Sequence, residues 1–236
     1  MKLIQFIISL IAFAFVMSTY ANSHQPKQVP IGFEKLYVAN GFDDNDNVQL
    51  VGEGYFPDSC YRSADVKATV DHVKKIVRVK TTAFLYEGIC LTVILPFDRV
   101  VDLGILNAGI YKVVRDIDSV EIGRVGIKAS LTKDADDYLY APVSQAFFLA
   151  RDHSNKVSLT GDFPSSCMRL KEVRHIVQPD VLVIQPIAEI DPKVKCAHGK
   201  FHFETTLEIG EMKSGRYLLH VRSMNGKAIN SLVDVP

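Results

Sequence analysis

The sequence predicts an all-β protein built as two β-sandwich modules in tandem, each closed by one internal disulfide. Three observations lead there. Cys60 and Cys90 stand 30 residues apart, and Cys167 and Cys196 stand 29 apart. The segment Gly54-Tyr55-Phe56-Pro57-Asp58-Ser59-Cys60 returns as Gly161-Asp162-Phe163-Pro164-Ser165-Ser166-Cys167, with five of seven positions identical. After the N-terminal segment, apolar residues alternate with period two in short runs bounded by Gly, Pro and Asn, and no long capped helical periodicity occurs.

The N-terminus reads as a signal peptide over residues 1–21. Lys2 precedes an apolar run from Leu3 to Met17 that is interrupted only by Gln5 and Ser9. As a helix it would reach about 22 Å, short of the roughly 30 Å hydrocarbon core of a bilayer. Thr19 and Ala21 supply the small residues for cleavage before Asn22, and Ala21 with Ser23 a second option before His24. A retained anchor is the alternative. The first Cys after the run is Cys60, so a lipid-carrying cysteine is not expected.

The first module is expected over 30–129. Val48 and Leu50 alternate around Gln49, and Ile76-Val77-Arg78-Val79-Lys80 alternates again. Leu103, Gly109 and Tyr111 follow Cys90 at 13, 19 and 21 residues, and Ile209, Gly215 and Tyr217 follow Cys196 at the same offsets. A polar linker is expected over 130–139, where Lys133-Asp134-Ala135-Asp136-Asp137 lies, and the second module over 140–236. Its strands are Val181-Leu182-Val183-Ile184, Phe201-His202-Phe203-Glu204 and Tyr217 to Arg222, the last turning back at Asn225-Gly226. About seven short strands in roughly a hundred residues indicate an antiparallel sandwich, and that size suits one core each, so independent modules are expected.

Four cysteines allow three pairings. A duplicated pair closes most economically within each module, as Cys60–Cys90 and Cys167–Cys196. Each closure should stabilise its module by about 3–4 kcal/mol on the chain-entropy account. The chain has no Trp, and its cysteine spacing is shorter than in antibody domains, so a looser immunoglobulin-like or fibronectin-like sandwich is expected. Tyr111 and Tyr217 are either corner tyrosines bonded back to the main chain or plain core aromatics.

Gly-x-x-Pro-x-x-Cys at 54–60, a second Cys at 90, and Gly109-Ile110-Tyr111 together resemble immunoglobulin-like modules of exported bacterial cell-envelope proteins. Phe163-Pro164 to Cys167, Cys196 and Gly215-Arg216-Tyr217 repeat the pattern. Most such modules have no assigned activity, and the resemblance transfers no catalytic residue.

With 27 basic against 27 acidic side chains, the chain has no field to gather nucleic acid. Asp43-Asp44-Asn45-Asp46-Asn47 suggests calcium, but Val48 and Gly54 stand where an EF-hand needs Gly and Glu, so a solvated loop is expected. Cys196, His198 and His202 would suit zinc or copper were Cys196 a thiolate, yet the first copy keeps Cys90 without the histidines. Ser59 and Ser166 read as turn residues bonding local backbone rather than nucleophiles. Arg222, beside Met224, sits in the last hairpin, where an exposed contact surface is the second reading.

The expectation is therefore a periplasmic or secreted, non-catalytic binding or structural protein of the cell envelope. Only Cys60, Cys90, Cys167 and Cys196 receive a role, as disulfides; no catalytic residue, cofactor or metal is expected. Its partner would be another envelope or extracellular protein, with no nucleic acid and no membrane insertion once the leader is cleaved. An exported peptidase inhibitor is one alternative; a periplasmic metal-binding protein or enzyme using His198 and His202 is another.

Overall fold

The computed structural model describes residues 25–134, 136–151 and 154–236, so the expected leader over 1–21 lies outside them. The first sandwich contains β1 (Lys27–Ile31), β2 (Lys35–Val38), β3 (Phe42–Asp43), β4 (Asn47–Phe56), β5 (Tyr61–Asp71), β6 (Ile76–Leu85), β7 (Leu95–Ile105), β8 (Gly109–Arg115) and β9 (Glu121–Lys128). The second contains β10 (Val143–Arg151), β11 (Ser154–Ser165), β12 (Met168–Val177), β13 (Val181–Ile190), β14 (His198–Gly210), β15 (Gly215–Ser223) and β16 (Lys227–Val235). The all-β, two-sandwich expectation holds.

Apart from β1 and β3, which pair with β6 and β9 in the first half, strand order is the same in the two halves. β2-β4-β7 forms one sheet of the first sandwich, and β6, flanked by β5, continues through β8 and β9 in the other; β10-β11-β14 and β12-β13-β15-β16 are their counterparts. The pairing is antiparallel apart from β6–β8, β13–β15 and the short β3–β9 contact, which are parallel. The reason is the crossover: β7 and β14 lie in the opposite sheet, so the next strand returns beside β6 or β13 in the same direction.

The repeated sequence positions have repeated physical jobs. Gly54 to Cys60 and Gly161 to Cys167 share one burial pattern, with the glycine, the phenylalanine and the cysteine all inside. A Cβ on Gly161 would stand 2.1 Å from the Pro142 carbonyl oxygen, and one on Gly54 2.8 Å from that of Gly32, so the N-terminal segment of each sandwich crosses where only glycine leaves room. Gly109 and Gly215, two residues before the tyrosines, have φ of 139° and 152°. The tyrosines then diverge. The Tyr217 hydroxyl donates to the Lys213 carbonyl at 3.0 Å, a corner-type bond, whereas the Tyr111 hydroxyl accepts from Lys75 Nζ at 3.1 Å. Asn225 and Gly226, at φ 62° and 65°, make the β15–β16 turn.

The two sandwiches are not separate bodies, and here the expectation of independent modules needs correcting. On β13 and β15 the apolar run is buried on both faces. Leu182, Ile184, Leu219 and Val221 point into the second core, while Val181, Val183 and Leu218 join the core of the first. The outer face of β12-β13-β15-β16 thus packs on β2-β4-β7. The linker is fastened as well: Asn45 Nδ2 donates to the Asp134 carbonyl and to Asp137 Oδ1, both at 3.1 Å, and Ser130 N donates to Asp44 Oδ1 at 2.9 Å.

Candidate functional site

Both disulfides close within their sandwich. Cα atoms of Cys60 and Cys90 are 5.3 Å apart and those of Cys167 and Cys196 5.0 Å, and no free cysteine remains among the described residues. Each bond ties the turn after β4 or β11 to the loop that leads into β7 or β14. A serine reinforces each tie. Leu91 N donates to Ser59 Oγ at 2.8 Å while Ser59 N donates to the Leu91 carbonyl at 3.1 Å. Ala197 N and Ser166 repeat the pair at 2.9 and 3.0 Å. Both serines lie in turns, as expected, but their hydroxyls accept from backbone across the loop instead of local backbone, because the disulfide brings the residue after the second cysteine against them.

This fastening holds an exposed apolar tip on the first sandwich. Between β6 and β7, Ile89 is fully exposed, Leu91 is 69% exposed and Ile94 70%, with Val93 and Tyr86 also open to solvent, as is Tyr55 on β4, paired with Pro96 of β7. Single exposed aliphatics are ordinary, but a contiguous group is characteristic of a contact surface. In the second sandwich the loop at the same place reads Asp191-Pro192-Lys193-Val194-Lys195-Cys196-Ala197, and Val194 is its one large exposed aliphatic. Fold and disulfide therefore do not demand an apolar tip. The signal was present in Ile89 to Ile94, but without burial it reads like any core strand.

The second built region is the seam between the sandwiches. Arg222 and Asp46 form a buried ion pair at 2.8 Å, Arg222 Nη2 donates to the Gly41 carbonyl at 2.8 Å, and the guanidinium lies 5.2 Å from the Phe42 ring centre. Two expectations are corrected here. Asp46 is not part of a solvated loop, and Arg222 is not an exposed contact residue, because each is the other's counter-charge inside the interface. Arg216 pairs with Glu53 at 2.9 Å, and the Tyr37 hydroxyl donates to Glu53 Oε2 at 3.0 Å, its pKa raised first by burial and then by that carboxylate. Asn230 Nδ2 donates to Gln49 Oε1 at 2.8 Å, which leaves Asn230 Oδ1 to accept from His220 Nδ1 at 2.7 Å. Burial holds the His220 pKa down to about 4 against the Asn230 bond, with Arg222 adding repulsion.

Beside the seam a concavity of about 330 Å³ is lined by Asp136, Asp137, Tyr138, Tyr140 and Met224, among others. Burial raises the Asp136 pKa to about 6, and the Asp46 charge adds to the shift. Asp137 has a structural task, accepting from Leu131 N, Thr132 N and Asn45.

His198 and His202 are both exposed on β14, four residues or about 13 Å apart along an extended strand. His202 Nδ1 lies 3.3 Å from Asp162 Oδ1, and Cys196 is oxidised, so the three do not converge on one ion. Among the described residues, the His, Cys, Asp and Glu groups that meet within ligand distance are Asp58, Cys60 and Cys90, whose sulfurs are bonded to each other.

Residues 50–116 match the ORF11 beta-sandwich domain family, a span from within β4 to just beyond β8 that includes the first disulfide and the apolar tip. No curated protein and no solved structure gives a significant match. The chain is thus a disulfide-bonded β-sandwich protein similar in part to that domain, and its two disulfides indicate an oxidising, extracellular-type environment.

Proposed function

We propose that the protein is an exported, non-catalytic binding protein of the cell envelope, two copies of one ancestral module presenting the apolar tip of the first to a partner. The observation that carries this reading is the tip: exposed aliphatic side chains on a loop fastened at Cys90 and Leu91. A loop already ordered loses little conformational freedom on binding, so its apolar area is available for affinity. The leader over 1–21 would deliver it to a periplasmic or secreted location. A photo-crosslinking amino acid in place of Leu91, irradiated in intact cells, should give a discrete adduct, and the same group in place of Val73, exposed at the opposite end of β6, should not. Equal labelling from both sites, or none from Leu91, would remove the reading.

Peptidase inhibition draws on the same fastened loop, since a rigid exposed segment around Ile89 and Leu91 suits insertion into a cleft. Inhibition of a serine, cysteine or metallo-peptidase that is lost in Leu91→Asp would favour it.

A further inference from the structure

We infer that the occupant of the apolar tip is a lipid bilayer surface. The inference rests on the reading of the tip as a binding site, and three features of the molecule select the membrane as its partner.

The first is where the chain enters. β1 begins at Lys27, paired with Leu85, the last residue of β6 before the tip loop. The apolar run Leu3–Met17 ends ten residues upstream of Lys27, a span of at most about 36 Å of extended chain. Until the leader is cleaved, that run keeps Lys27, and with it the tip end of the first sandwich, within about 36 Å of the membrane the run occupies.

The second is the contrast between the two loops. Lys193 and Lys195 occupy the second sandwich's loop, and Ile89, Leu91, Val93 and Ile94 occupy that of the sandwich next to the N-terminal run. The apolar character goes with proximity to the run, not with the fold.

The third is composition. The aliphatic side chains are joined by Tyr86 and by Tyr55, which pairs with Pro96 at the start of β7. Tyr suits the headgroup level, where one end of its ring is wet and the other apolar. Lys27 and Arg62 are balanced nearby by Asp58 and Glu87, so the tip has no net charge to seek anionic lipid. Docking is therefore driven by aliphatic burial at the headgroup boundary, and it needs neither acidic lipid nor low salt.

The chain contains no Trp, which provides the test. Leu91→Trp and Val73→Trp are prepared from the exported, oxidised protein and mixed with phosphatidylcholine vesicles, with and without brominated acyl chains, and with vesicles containing phosphatidylglycerol. Leu91→Trp emission should shift to the blue and be quenched by brominated lipid in both compositions and at high salt; Val73→Trp emission should not change. Ile89→Ser combined with Ile94→Ser should weaken vesicle binding of the Leu91→Trp protein at least tenfold while all four cysteines stay unreactive to thiol reagents. Unchanged Leu91→Trp emission, or a response confined to anionic vesicles, would overturn the inference. If that negative result accompanied a protein adduct from position 91 in cells, the binding-site reading would stand with a protein as partner. A blue shift that grows with protein concentration in the absence of lipid would assign the tip to a second copy and overturn the membrane.

Discussion

At the scale of single residues, the seam depends on charges that water cannot reach. Asp46→Leu strands the Arg222 guanidinium with the Gly41 carbonyl as its main remaining acceptor, and loss of one member of a buried pair costs about 3–5 kcal/mol. Combining Asp46→Leu with Arg222→Met should cost clearly less than the sum of the single changes, because neither member of the pair is left buried without the other. Urea unfolding of the four proteins in a double-mutant cycle checks both statements. His220 contributes to the pH response. Its folded pKa of about 4 lies below the ordinary 6.5, so above pH 6.5 it is neutral in both states and costs nothing. As the pH falls from 6.5 towards 4 the unfolded chain takes up a proton that the folded one refuses, and stability drops by roughly 3 kcal/mol at about 1.4 kcal/mol per unit. Asp136 works the other way: its raised folded pKa adds stability as the pH falls through 6 towards 3.8, offsetting most of the loss. Between pH 7 and 4 the two effects nearly cancel, so measured stability should change little for the native sequence and should rise on acidification in His220→Gln, which retains a partner for Asn230 and keeps only the Asp136 gain.

At the scale of elements, the loop between β6 and β7 is shaped by a disulfide and one serine. Ser59→Ala removes the acceptor of Leu91 N, a net loss of about 1 kcal/mol. Amide hydrogen exchange should quicken at Leu91 and leave Ala197, held by Ser166, unaffected. β15 shows how one strand serves two cores. Its odd positions Tyr217, Leu219 and Val221 are buried beside its own sheet partner strands, and its even positions Arg216, Leu218, His220 and Arg222 meet the first sandwich. A strand exposed on one face would alternate apolar with polar; this one alternates apolar with interface residues.

At the scale of the whole molecule, the shared core should abolish independent unfolding. Val181, Val183 and Leu218 lose their cover when the first sandwich opens, so the second is left with exposed apolar surface and unpaired Arg222. Calorimetry should therefore show one transition with equal calorimetric and van't Hoff enthalpies. Removing Cys60–Cys90 as a pair of serines should lower that single transition, by about 2–5 kcal/mol, instead of melting one sandwich alone. Two resolved transitions would contradict the shared core.

The amino-acid sequence by itself determined the all-β class, the two-sandwich plan, the disulfide pairing, the Asn225-Gly226 turn and the glycines that recur where backbone crosses or φ is positive. These are local or repeated features, fixed by alternation, spacing and steric exclusion within a few residues, and a single chain displays them. The seam, the membership of Asp46 and Arg222 in one ion pair, and the reach of Ser59 across 32 residues to Leu91 were decided only by the tertiary structure. Partners separated by 176 residues leave no spacing to read, and Asp46 looks like any turn residue until a guanidinium is placed against it. The continuous run Val181 to Ile184 reads from the sequence only as a strand; that both its faces are buried, and what covers the second, is shown by the fold. The apolar tip is the converse case: Ile89 to Ile94 has the composition of a buried strand, and only the fold, which places it outside, makes it a surface.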